Sequence, residues 1–110
     1  MSNTAIPAIS PSELKAELES ATPPQILDVR EPDELEISRL PNVVHVPLNT
    51  LPGSVQQLDV EADWVVVCRS GMRSAQAAQF LMGHGFKRVR NLTCGMNEYA
   101  RSADTSLTVY

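Results

Sequence analysis

Histidine and cysteine are scarce in this chain, two of each among 110 residues, and they lie far apart. No metal-ligand spacing links them, so the sequence implies neither a metal nor a cofactor. Positive charge is also in the minority. Nine Lys and Arg face thirteen Asp and Glu, a net charge of −4, which excludes nucleic acid and anionic membranes as general partners. No apolar run approaches the length of a membrane span, and the N-terminus lacks the charged-then-apolar pattern of a signal peptide. The expected location is cytoplasmic, where the two thiols stay free rather than bridged. Internal repeats and low-complexity segments are missing as well.

What remains is the composition of a soluble globular protein, 43% hydrophobic and 20% charged. The length suits a single domain over residues 1–110, with a core over about residues 9–100 and a tail over 101–110. Met1 to Ala8 has no periodicity and is expected to fray. Ser10-Pro11-Ser12-Glu13 then carries three agreeing helix-start signals: a capping serine, a proline at the first position and a glutamate completing a capping box. Leu14 and Leu18 share one face of that helix, and Thr22-Pro23-Pro24 ends it. Gln25 to Arg30 reads as a buried strand ending in charge. Glu31-Pro32-Asp33-Glu34 opens a short helix, and the acids from Glu31 to Glu36 read as a solvated face. Val43 to Val46 is a further strand, Leu51 to Leu58 a weak helix, and Arg88 to Leu92 the last strand. Thr93-Cys94-Gly95 turns into a closing helix through Tyr99. Strands alternating with helices imply an α/β fold, a parallel sheet covered on both faces.

The stretch from Trp64 to Ser74 organises the rest. Trp64-Val65-Val66-Val67 reads as a strand buried on both faces, and Cys68 closes it. Arg69, Ser70, Gly71, Met72 and Arg73 form a polar turn, and Ser74 is placed to cap the helix-forming run Ala75 to Met82. Ala75, Ala78, Leu81 and Met82 fall on one face of that helix. Loop amides that converge beside a helix N-terminus, with two arginines flanking them, favour an anionic sulfur. Cys68 is therefore the candidate nucleophile. Binding sites in parallel sheets lie at the carboxyl ends of the strands, so Cys68, Asp28 with Arg30, and Cys94 gather on one edge.

Cys-Arg-Ser-Gly-Met-Arg-Ser resembles the active-site loop of rhodanese-type sulfurtransferases. Four residues separate Cys68 from Arg73, as in that family, whereas related phosphatases keep one more. Ile26-Leu27-Asp28-Val29-Arg30-Glu31-Pro32, Leu40-Pro41-Asn42-Val43 with Pro47-Leu48, and Gly85-Phe86 followed by Val89 and Asn91-Leu92 extend the resemblance from about Ser10 to Ala100. It implies a five-stranded parallel sheet with helices on both faces. It further implies transfer of a sulfane sulfur from a small anionic donor such as thiosulfate, through a Cys68 persulfide, to a thiophilic acceptor. Three positions depart from the family pattern: Ser38-Arg39, Cys94-Gly95 and Tyr99.

In that reading Arg69, Ser70, Gly71, Met72, Arg73 and Ser74 bind the donor and the persulfide. Arg73 either holds the donor's oxyanion or braces the loop. Arg69 points to solvent and is the better donor or partner contact. Asp28 and Arg30 form a supporting ion pair, and Cys94 is either a resolving thiol or a small residue tolerated in a turn. His45 is read as core filling and His84 as favourably placed beside a helix end, neither as a ligand, and Met72 and Met82 as ordinary packing or loop residues. A persulfide carrier that docks a sulfur-acceptor protein is the alternative, since Ser106 to Tyr110 is similar to the ending of enzymes that sulfurate carrier proteins. A cysteine phosphatase is disfavoured by loop length.

Overall fold

The computed structural model describes residues 6–110, so the part of the fraying expectation that concerns Met1 to Ala5 lies outside the described residues. Five parallel strands form one sheet. In chain order they are β1 (Ala8–Ile9), β2 (Gln25–Asp28), β3 (Val44–His45), β4 (Asp63–Val67) and β5 (Arg88–Leu92), arranged β1-β5-β4-β2-β3. The helices are α1 (Pro11–Leu18), α2 (Pro32–Ile37), α3 (Leu51–Ser54), α4 (Met72–Met82) and α5 (Gly95–Ser102).

The apolar run that precedes Cys68 becomes the central strand because it can be dry on both sides. Trp64, Val66 and Cys68 pack toward α3 and α4 with Leu27, Ala77, Ala78 and Leu81. Val65 and Val67 point the other way, into Ile9, Leu14, Leu92, Met96 and Tyr99 beneath α1 and α5. The alternation of side chains along a strand thus feeds two cores from one segment. β4 pairs with β2 on one side, Asp28 opposite Val67, and with β5 on the other, Val66 opposite Asn91.

Several elements differ from their expected form. Ala8 does not fray: Ala8 and Ile9 make a two-residue edge strand against Asn91 and Leu92. Too short to show a period, it exists because β5 offers it an open edge. The segment from Leu48 to Gln57 is a single α-helical turn between two 3₁₀ turns, since Pro52 and Gly53 do not sustain a longer helix. Ser74 is not the cap of α4. Gly71, with φ of 106°, precedes the helix, so the chain turns three residues earlier than read and Ser74 falls inside the first turn. The buried face of α4 is accordingly Ser74, Ala77, Ala78 and Leu81 rather than one containing Ala75. The first helix start is as expected: Ser10 Oγ accepts from the Glu13 amide at 3.2 Å, and Glu13 Oε1 accepts from the Ser10 amide at 2.9 Å.

Leu27 is fully buried on β2 between the strands that carry the site. Leu27→Ala should therefore cost about 3 kcal/mol of unfolding free energy, the usual scale for a core cavity, measured by urea denaturation followed by circular dichroism.

Candidate functional site

All strands run the same way, so β2, β4 and β5 deliver Asp28, Cys68 and Cys94 to one edge of the sheet. Cys68 is buried, only 1% exposed, and both cysteines are free thiols; Cys94 is exposed. The Gly71 amide donates to Cys68 Sγ at 3.0 Å, and Ser74 Oγ lies 3.3 Å from the same sulfur. Of the loop amides expected to converge, Gly71's is the one that reaches Sγ among the described residues. The sulfur therefore sits under the start of α4, where the amide donors and the helix dipole favour negative charge.

The loop is held from behind by α5. The Met96 amide donates to the Cys68 carbonyl at 2.8 Å and the Asn97 amide to the Arg69 carbonyl at 3.2 Å. Gly95 makes that approach possible. A Cβ there, at φ of 67°, would lie 2.3 Å from the Arg69 carbonyl oxygen. Cys94, also left-handed at φ of 60°, leads into it.

The outer residues of the loop are less free than their sequence suggested. Arg69 is exposed, yet its guanidinium lies 5.0 Å from the Tyr110 ring centroid and donates to the Tyr110 carbonyl. Arg73 forms a two-pronged ion pair with Glu34, at 2.7 and 2.9 Å. Glu34 is thus no member of a solvated face: its side chain is 15% exposed, and it also accepts from the Tyr110 hydroxyl at 2.8 Å. The Arg73 hydrogen bonds hold its carboxyl well below the ordinary value of 4.5, at about 2, despite partial burial. Met72, read as an ordinary packing or loop residue, opens α4 and is 75% exposed. Ser70 is exposed on the same loop.

Beneath this lies the Asp28–Arg30 pair, completely buried. Arg30 Nε and one terminal nitrogen reach the Asp28 carboxylate at 2.9 and 2.8 Å. That same terminal nitrogen donates to the Ser38 carbonyl at 2.7 Å, and the other to the Tyr110 hydroxyl at 2.9 Å. Against the desolvation that lowers it, these partners raise the Arg30 pKa further above its ordinary value. His45 Nε2 donates to the Arg30 carbonyl at 2.7 Å, and His84 Nδ1 to the Phe80 carbonyl at 2.8 Å. Neither histidine has a hydrogen bond to the sulfur; His45 is half-buried and His84 is exposed beside the end of α4.

Three residues of this edge were not singled out from the sequence as site members: Glu34, Asn91 and Tyr110. Asn91 Nδ2 donates to the Gly71 carbonyl at 3.2 Å and its Oδ1 accepts from Ser74 Oγ. Only its place in the stretch Asn91-Leu92 pointed to it. A cleft of about 580 Å³ between Pro7, Glu17, Asp63, Phe86 and Arg90 opens at the opposite edge of the sheet. Within it Arg90 pairs with Glu17 and Asp63. We place the chemistry at the Cys68 edge, where the reactive group is.

Two outcomes follow from the charges. Asp28→Ala strands a buried guanidinium and should cost about 3–5 kcal/mol, read from denaturant midpoints. For Glu34 the folded pKa is depressed, so its contribution is complete above pH 4.5 and is lost as pH falls through about 2. The stability gap between wild type and Glu34→Gln should be constant above pH 4.5 and close toward pH 2, in urea titrations repeated at each pH.

Among the described residues no helix is long and apolar enough to cross a membrane. The profile of the Rhodanese-like domain matches residues 10–102. The chain is 36% identical over 91 residues to "Putative sulfurtransferase YtwF" of Bacillus subtilis, covering 83% of this chain and 87% of that protein. It is 36% identical over 96 residues to "Putative sulfur carrier protein YrkF" of the same organism, where 87% of this chain matches 52% of the relative. A third relative, "Rhodanese-like/PpiC domain-containing protein 12, chloroplastic" of Arabidopsis thaliana, is 40% identical over 90 residues, 78% of this chain and 30% of its own length. The chain thus spans about half or less of two of these relatives. Among solved structures, a rhodanese-like domain protein from Staphylococcus aureus superposes with a TM-score of 0.83 at 28% identity, over 96% of this chain and 99% of that one. The sheet order, the loop after β4 and these likenesses agree: the chain belongs to the rhodanese-like family, which includes sulfurtransferases and sulfur carriers.

Proposed function

We propose that this protein is a sulfurtransferase that carries sulfane sulfur on Cys68. The observation that supports this most directly is the Cys68 sulfur at the end of β4, 3.0 Å from the Gly71 amide at the start of α4. In the reaction, the Cys68 thiolate attacks the outer sulfur of thiosulfate or a similar anionic donor. A new S–S bond forms, the sulfur–sulfonate bond breaks with its electron pair, and sulfite leaves. The Cys68 persulfide anion then gives its terminal sulfur to a thiophilic acceptor, and the thiolate returns. Gly71 supplies a fixed donor to the anionic sulfur, as an oxyanion hole does for oxygen.

The pairing with Glu34 favours the bracing role for Arg73, because its planar donors are already engaged. Arg69 is the group available for the donor's sulfonate or for a partner, once Tyr110 moves from its face. Asp28 and Arg30 hold the ground on which the loop stands. The carrier reading is the second one: Met72 is exposed beside the loop, where a protein acceptor has access to it, and one relative bears the name of a putative sulfur carrier.

Cys68→Ser should abolish transfer while leaving the circular dichroism spectrum unchanged. Wild type mixed with thiosulfate should gain one sulfur atom by intact mass, and cyanide should remove it as thiocyanate. Retention of a tenth of the activity by Cys68→Ser overturns the nucleophile assignment. Slow thiosulfate turnover with rapid loading from a cysteine desulfurase selects the carrier reading.

A further inference from the structure

We infer that Asn91 is a positioning residue that dictates which way the Ser74 hydroxyl points, and thereby holds Cys68 as a thiol until Ser74 turns. The inference rests on the reading of Cys68 as the reactive sulfur and assigns a residue to its control.

Asn91 Nδ2 donates to the Gly71 carbonyl at 3.2 Å, and a carbonyl oxygen can only accept. The amide is thereby oriented with Oδ1 toward Ser74, whose hydroxyl is 2.5 Å away. Oδ1 has no proton to give, so the single Ser74 proton is committed to Asn91. Toward Cys68 Sγ, at 3.3 Å, Ser74 Oγ then presents lone pairs alone. That arrangement accepts a proton from the thiol and repels a thiolate or a persulfide anion.

When the Cys68 proton leaves to solvent, the favourable response is rotation of the Ser74 hydroxyl onto the sulfur. Rotation leaves Asn91 Oδ1 without that partner. Asn91 is half-buried, so water offsets only part of that lost bond. Ser74 and Asn91 together form a two-position device: hydroxyl to Asn91 with the thiol, hydroxyl to sulfur with the anion. The Gly71 amide donates in both states.

Other charges around the sulfur are Arg73 on α4, clamped by Glu34 of α2; Arg69 in the loop; and the Asp28–Arg30 pair at the end of β2. From α5 comes the Met96 amide on the Cys68 carbonyl. All of these are retained when Asn91 is changed, and what is lost is the partner of the Ser74 hydroxyl together with the bond to the Gly71 carbonyl.

The test is the pH profile of Cys68 alkylation by iodoacetamide, read on the Cys68 peptide by mass spectrometry so that Cys94 is counted separately. Asn91→Ala, and the near-isosteric Asn91→Leu, should lower the midpoint by about one pH unit, a tenfold gain in thiolate below it. The same substitutions in a Ser74→Ala background should leave the midpoint where Ser74→Ala alone puts it. A loop merely loosened by loss of the Gly71 contact shifts the midpoint in both backgrounds. The inference is overturned by that result, or by an unchanged or raised midpoint in folded Asn91→Ala and Asn91→Leu. If wild type takes no sulfur from thiosulfate yet shows the Ser74-dependent shift, the proton arrangement stands and the donor reading falls.

Discussion

The buried guanidinium of Arg30 is the interaction on which this edge of the sheet depends. It pairs with Asp28 on its own strand end, holds the Ser38 carbonyl after α2, and donates to the Tyr110 hydroxyl. That hydroxyl donates in turn to Glu34, which clamps Arg73 of the loop. A charge buried this completely is tolerated only with a full set of acceptors. Supplying them ties β2, α2, the last residue of the tail and the loop after β4 into one network. The network fixes position without touching the sulfur, and it keeps the nearby carboxylates neutralised, where a free one would oppose an anionic thiol.

A second constraint is steric. The turn after β4 is pressed between the sulfur it carries and the backbone of α5, and glycine stands at both points of contact. Gly71 adopts a left-handed φ so that its amide can face Sγ, and Gly95 has no room for a side chain above Arg69. Hydrogen bonds from Met96 and Asn97 to the loop carbonyls then make the loop rigid. Rigidity is what lets one amide act as a prepared donor to an anion rather than having to reorganise around it.

Much of this was legible in the chain. An unbroken apolar run can only be a strand buried on both faces, so the residue that closes it must lie on the binding edge. Ser10, Pro11 and Glu13 specify a helix start through contacts three residues apart. The α/β class followed from signals of this local kind, and the five parallel strands from the family resemblance. So did the pairing of Asp28 with Arg30, two residues away.

What tertiary structure alone decided was the partners of those residues. Arg73 meets Glu34 across 39 residues, Arg30 meets Tyr110 across 80, and Ser74 meets Asn91 across 17. No periodicity encodes such pairs, because they follow from strand order and from which helix end faces which loop. Ala8 and Ile9 form a strand for the same reason: two residues carry no pattern, but the open edge of β5 supplies the hydrogen bonds. The shift of the α4 cap from Ser74 to Gly71 is the same lesson at short range. Local propensity offered a serine cap, but docking against β5 and α5 placed the turn at Gly71 and brought Ser74 Oγ to 3.3 Å from the sulfur.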